Sequence, residues 1–255
     1  MKPALVFLLA ATLVACSSAP VTGRKQLMIV SESQATDMGL QAYQEILSKS
    51  KLSTDPKYTA PVQRVSRLIA QASDKPDYQW EFNVIDEPKT INAWALPGGK
   101  VAVYTGLLNL GLSDAELAAV MGHEVAHALA QHSRERISQA MTQQVGLAVL
   151  GASGKLGQGE MQAVGLALGI GVGLPFSRKQ ESEADYIGLD LMAKAGYNPQ
   201  AAITLWQKMA AANDGKSPPE FLSTHPSSDH RIKDIQAALP KVMPIYEANK
   251  HKTSS

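Results

Sequence analysis

Two histidines four residues apart, His123 and His127, with Glu124 beside the first, stand inside an uninterrupted helix-forming stretch. This arrangement constrains the chain more than any other feature. Ser113-Asp114-Ala115-Glu116 supplies an N-cap serine and a capping-box glutamate, so a helix is predicted to start at Asp114. From Asp114 to about Arg136 there is no proline, and Ala, Leu, Val and Met recur at helical spacing. Residues four apart share one helix face, so both imidazoles can reach a single metal ion while Glu124 lies beside the remaining position. Such an ion, most simply zinc, together with a glutamate base activates water. The competing reading is a buried helix whose two histidines satisfy each other.

A catalytic zinc takes a third protein ligand and keeps one position open. The pattern with a glycine and a third histidine on the same strand of sequence is absent, because Ala130 and Ser133 occupy those places. His132 is one residue out of register and, on a continuing helix, points away from the metal face, which makes it a packing or surface residue. The stretch Ser177 to Asp185 offers another solution. Glu181 and Asp185 share a helix face while Glu183 points elsewhere, so one carboxylate can bind the ion and the other can accept a ligand histidine's free N–H.

His123-Glu124-x-x-His127, Phe176-Ser177-Arg178, Glu181-x-x-Ala184-Asp185 and Thr224-His225-Pro226 with Arg231-Ile232 occur in an order that resembles the zinc metallopeptidase family of HtpX, BepA, LoiP and the CAAX prenyl endopeptidases. The resemblance runs from about Pro20 to Leu239. It implies a zincin-type, gluzincin-like endopeptidase domain holding one zinc, with His123, His127 and Glu181 as ligands, Glu124 as base and Asp185 behind a ligand. Read by itself, the segment around His225 is a turn with an exposed histidine, since Pro226 disfavours helix before it. The resemblance instead places His225 near the metal, either capping it at rest or donating to the tetrahedral intermediate, with Arg231 as the matching positive charge. His230 and His251 have no such support and read as solvated. The chain is most similar to the short bacterial lipoprotein forms: it stops at Ser255 with no room for a helical repeat domain, and it lacks the long apolar spans of HtpX.

Upstream, Asn92 to Gly106 reads as a strand, a Pro97-Gly98-Gly99 turn and a second strand through Tyr104, with Gln79 to Ile85 adding another. By resemblance, Asn92, Ala93, Trp94 and Ala95 form an edge on which a peptide substrate pairs through its main chain; a hairpin that only buries Trp94 is the other account. Helices are predicted over Glu32–Ser48, Tyr58–Ser73 and from Asn198 through about Ala212. The fold class is α+β, mainly helical with a small, mostly antiparallel sheet.

The N-terminus differs in character. Lys2 precedes an apolar run, Leu5 to Val14, shorter than the about 20 residues a transmembrane helix needs. Leu13-Val14-Ala15-Cys16 looks like a lipobox, with lipidation at Cys16, the sole cysteine, and Ser17 resembles an outer-membrane sorting signal. The expected organisation is a lipoprotein signal peptide over 1–15, a lipidated tether over 16–30, the peptidase domain over 31–240 and a flexible tail over 241–255. This places the protein on the bacterial outer membrane facing the periplasm, with misfolded envelope proteins as substrates. The Gly-rich stretch Gly151 to Gly159 reads as a mobile loop over the cleft. A net charge of +1 shows no nucleic-acid footprint, and 45% hydrophobic residues suffice for one substantial core. Two further readings share the metal helix or the groove: another zinc hydrolase, and a non-proteolytic envelope chaperone.

Overall fold

Local signals in the sequence set most of the helix starts in the computed structural model, which describes residues 16–19, 22–152, 175–212, 220–225 and 231–253. Ser31 caps helix α1 (Glu32–Lys49) in a capping box with Gln34, and Asp55 caps α2 (Pro56–Ala72), where Pro56 takes the position that needs no N–H. Ser113 and Glu116 form the predicted capping box of α4 (Asp114–Leu129), which follows the short α3 (Thr105–Leu108). Beyond it come α5 (His132–Ala152), α6 (Arg178–Ala195), α7 (Ala201–Ala211), the short α8 (Glu220–Thr224) and α9 (Arg231–Asn249). Ser177 and Gln180 form a third capping box at the start of α6. Pro199 lies in the turn before α7, two residues ahead of its first residue.

Strands β1 (Cys16–Ser18) and β2 (Lys25–Leu27) form an antiparallel ribbon. The predicted strands appear as β3 (Glu81–Ile85), β4 (Ala93–Leu96) and β5 (Lys100–Tyr104), ordered β3-β5-β4. The β4–β5 pairing is the antiparallel hairpin expected of Pro97-Gly98-Gly99, whereas β3 runs parallel to β5. Alternation along β5 sends Val101 and Val103 into the main core with α2, α4 and α6, and Ala102 into a smaller cluster on the other face with Tyr43 of α1, Ile85, Trp94 and Leu96. Trp94 meets Tyr43 edge to face, 5.9 Å between centroids. The hairpin therefore does bury Trp94. Among the described residues no helix is long and apolar enough to cross a membrane.

Three expectations need correction. The helix from Asp114 does not run through to Arg136. It ends at Leu129, Gln131 adopts φ 56°, and α5 starts at His132 in a new direction. The tail expected from residue 241 is helix to Asn249, with Val242 buried and with Lys252 and Thr253 donating to the carbonyls of Lys194 and Gly196. The tether expected over 16–30 is docked in its second half, where Gln26 is buried and its Nε2 donates to the Ala130 carbonyl at 2.7 Å. The expected signal peptide, residues 1–15, and all of the Gly-rich loop past Ala152 lie outside the described residues.

The feature that positions the site is the crossing of α4 and α6. A Cβ on Gly122 would stand 2.9 Å from the Gly188 carbonyl oxygen, and one on Gly188 would stand 3.1 Å from the Gly122 carbonyl carbon. The two backbones therefore touch, with only hydrogen at both positions. Gly188→Val should lower unfolding free energy by about 1–3 kcal/mol through overpacking, read as a lower urea midpoint at unchanged slope; an unaltered midpoint would mean the helices are free to separate.

Candidate metal centre

His123 and His127 stand one turn apart on α4, and the close crossing with α6 brings Glu181, in the first turn of that helix, against both. His123 Nε2 lies 3.1 Å from His127 Nε2, and Glu181 lies 3.4 Å from each ring nitrogen. His225 joins them, its Nδ1 3.2 Å from His123 Nε2 and 3.1 Å from Glu181 Oε1. All four side chains are buried, and one ligating atom from each falls within 4.8 Å of the others. Tetrahedral zinc with bonds near 2.0–2.1 Å separates its ligand atoms by about 3.3 Å, so the observed spacings fit a shared ion. The carboxylates of Glu181 and Asp185 face the guanidinium of Arg231.

Glu124, 1% exposed, accepts a main-chain hydrogen bond from Ala95 of β4 and lies 3.4 Å from His225 Nε2 through Oε1, which accepts no hydrogen bond from a described residue. Burial pushes its carboxyl up to about 8, against the lowering influence of His123. Burial also pushes Glu181 upward, but its bonds with His123, His127 and His225 win and hold it well below the usual carboxylate range. His225 is pulled down to about 4 by burial, so its ring is neutral and able to ligate at neutral pH.

Asp185 takes the expected place behind a ligand: its Oδ1 is 3.0 Å from His123 Nδ1, the nitrogen turned away from the cluster. Arg231 is brought to the site as the matching positive charge. Its Nη1 donates to Glu181 at 2.7 Å, its Nη2 donates to Asp185 at 2.7 Å, and its guanidinium lies 3.7 Å over the Trp206 ring. Two carboxylates on one face of α6 need a counter-charge, and Arg231 supplies it. His225 is buried, against the exposed turn that its own sequence suggests, because its amide donates to the Phe221 carbonyl and its ring stacks on Phe221 and Phe176. His230 lies outside the described residues, and His251 is exposed as expected.

Sequence reasoning missed His132 and Glu183. The break at Gln131 turns the His132 ring back toward His127, with 2.8 Å between their Nδ1 atoms, and Glu183 meets the other side of that ring at 3.1 Å. Only the three-dimensional closure of α5 on α6 reveals this. Ala93, Trp94 and Ala95 lie on β4, an edge strand of the three-stranded sheet, and Asn92 directly precedes it; Ala95 is bonded to Glu124, and all four residues are buried. Cys16 lies in β1, remote in sequence from the centre.

Comparison with known proteins agrees with this geometry. Mitochondrial metalloendopeptidase OMA1 of Schizosaccharomyces pombe is 43% identical over 228 residues, spanning 87% of this chain and 66% of that protein. The Saccharomyces cerevisiae OMA1 is 32% identical, spanning 90% of this chain and 70% of its own length. Beta-barrel assembly-enhancing protease of Escherichia coli is 28% identical over 238 residues, spanning 89% of this chain and 48% of that protein. This chain thus spans less than two thirds of the length of several of these relatives, including the 45% covered of the Arabidopsis thaliana OMA1. The profile of Peptidase family M48 matches residues 56–239, which include every proposed ligand, and with these identities it establishes that the chain belongs to Peptidase family M48.

Proposed function

We propose that this chain is a zinc-dependent endopeptidase in which His123, His127 and Glu181 hold the metal and Glu124 is the general base. The observation that carries the reading is the convergence of these three ligand groups, with Glu124 alongside, in one buried cluster. A bound zinc would polarise a peptide carbonyl and make water nucleophilic near neutral pH, while its charge offsets the burial of Glu124. Glu124 Oε1, which faces the cluster without a donor, takes the proton of the attacking water and returns it to the leaving amine. Its raised affinity for a proton suits both transfers.

Strand pairing supports a strand-like substrate. Among the described residues β4 pairs only with β5, and the Ala95 main chain touches Glu124, so a peptide that reached the other edge of β4, which is buried in this structure, would pass beside the base. His225 stands among the ligands, and we read it as occupying the fourth position at rest, to be displaced when substrate arrives. Zinc-binding and catalytic roles are thereby divided between α4 and α6 on one side and the segment after α8 on the other.

The finer assignments belong to the same proposal. The lipobox-like Leu13 to Cys16 supports lipid anchoring at Cys16 after removal of residues 1–15, on the outer membrane facing the periplasm. The likeness to a beta-barrel assembly-enhancing protease supports protein or peptide substrates among misfolded envelope proteins, whereas the more similar OMA1 sequences are named as mitochondrial. We read the peptidase unit as 31–240 together with the rest of α9. A chaperone that holds clients in the same groove without cutting them is the second reading; the buried base favours hydrolysis.

Glu124→Gln is expected to retain close to one zinc per chain while losing cleavage of an unfolded protein such as casein by at least about a hundredfold, whereas His127→Ala loses both. Metal analysis and gel-based proteolysis check this; full cleavage by Glu124→Gln would remove the base assignment, and client holding that survives the substitution without any wild-type cleavage would favour the chaperone. His225→Ala is expected to weaken zinc binding while raising the initial rate on a short fluorogenic peptide. A loss of rate with unaltered zinc affinity would instead give His225 a role in the transition state.

A further inference from the structure

His132 is fully buried, and its ring closes a chain of polar contacts that begins at a proposed ligand. On the metal-centre reading, on which this inference rests, His127 offers a bare Nε2 to the ion, so its proton sits on Nδ1. The acceptor opposite is His132 Nδ1 at 2.8 Å, which places the His132 proton on Nε2, facing Glu183 Oε2 at 3.1 Å. Both tautomers follow from direction alone.

Glu183 is in turn fixed from the N-terminal segment. Arg24 Nε donates to Glu183 Oε2 at 2.7 Å, its two Nη atoms donate to Glu135 at 2.9 and 2.7 Å, and the Thr22 hydroxyl also meets Glu183. Gln180 Nε2 donates to Glu135 at 2.9 Å, and Gln26 holds the segment to the Ala130 carbonyl, at the break between α4 and α5. The arrangement repeats that at His123, whose Nδ1 faces Asp185, itself held by Arg231. Each ligand ring is thus backed by a carboxylate and an arginine, and His132 spans the extra distance at His127.

We propose that His132, Glu183 and Arg24 are positioning residues for the metal ligand His127, so that the N-terminal segment Thr22–Gln26 sets part of the metal affinity of the centre. The Glu183 carboxylate drawing on the His132 N–H makes His132 Nδ1 a stronger acceptor, which orients the His127 ring and makes it a stronger donor to the ion. If Arg24 merely pinned the β1–β2 ribbon to the body, its replacement would lower stability and leave the metal unaffected.

The two cases separate in the purified full chain by zinc competition with a chromogenic chelator and by the visible spectrum of the cobalt-substituted protein. Glu183→Gln and His132→Phe should weaken zinc binding by about tenfold to a hundredfold and shift the cobalt bands, Arg24→Gln should act in the same direction, and Arg24→Lys should recover part of the loss. Variants that keep the wild-type circular dichroism and bind zinc within about twofold of wild type, with an unchanged cobalt spectrum, overturn the proposal. Should Glu183→Gln fail to fold, Arg24→Gln, which alters a partly exposed side chain, decides between the outcomes. A wild-type chain that binds neither zinc nor cobalt would refute the metal centre itself, a result distinct from wild-type binding that the substitutions leave untouched.

Discussion

The backbone contact between α4 and α6 at Gly122 and Gly188 sets the reach of every group in the centre. A glutamate side chain is short, and Glu181 meets both imidazoles only because the two helix axes are brought together one to two turns away. Glycine within a helix costs about 1 kcal/mol relative to alanine, and here it appears on both helices at the same crossing. That local cost is offset by packing along the interface, where Ala118, Met121 and Val125 of α4 and Ala184, Leu191 and Met192 of α6 are all buried. A site built on two helices in backbone contact holds its ligand atoms more narrowly than one built on loops.

The polar groups at this crossing are costly to bury, and their pairing follows from that cost. Glu181 and Asp185 share a face of α6, so a single guanidinium, Arg231, spans both and is itself laid on Trp206. His127 is packed against Phe176, with 3.8 Å between ring centroids. Two imidazole nitrogens 3.1 Å apart cannot both point protons at each other. A dication bound between them would take both lone pairs, which would couple metal binding to the stability of the folded chain.

Much of this was legible in sequence because it rests on local rules. Ser113 with Glu116 predicts the start of α4, and residue spacing puts His123 with His127, and Glu181 with Asp185, on shared faces. The Pro97-Gly98-Gly99 turn likewise predicts the hairpin that carries β4. The break at Gln131 was not legible: neither glycine nor proline marks it, and the residue takes a left-handed conformation only within the fold. Everything that depends on the break, including His132 against His127 and Glu183 against Arg24, was hidden with it. The second half of the C-terminal helix, from residue 241, reads as a tail in sequence because Pro240 and Pro244 and the polar residues around them obscure the packing of Val242 and the contacts with Gly196. His225 became visible only by resemblance, since its own neighbours suggest an exposed turn.

The break also explains how a chain of modest size supports two ligand rings from behind. An uninterrupted helix would carry His132 away from His127 and leave the His127 Nδ1–H facing apolar helix surface, a buried donor without an acceptor. Ending α4 at Leu129 leaves Ala130 and Gln131 to turn, and the new helix α5 then presents both His132 and Glu135 toward α6. Arg24 enters between Glu135 and Glu183, where two carboxylates would otherwise repel across the buried α5–α6 contact. The N-terminal segment is therefore not an ornament on the peptidase unit: its one guanidinium neutralises the side of the centre that Arg231 cannot reach.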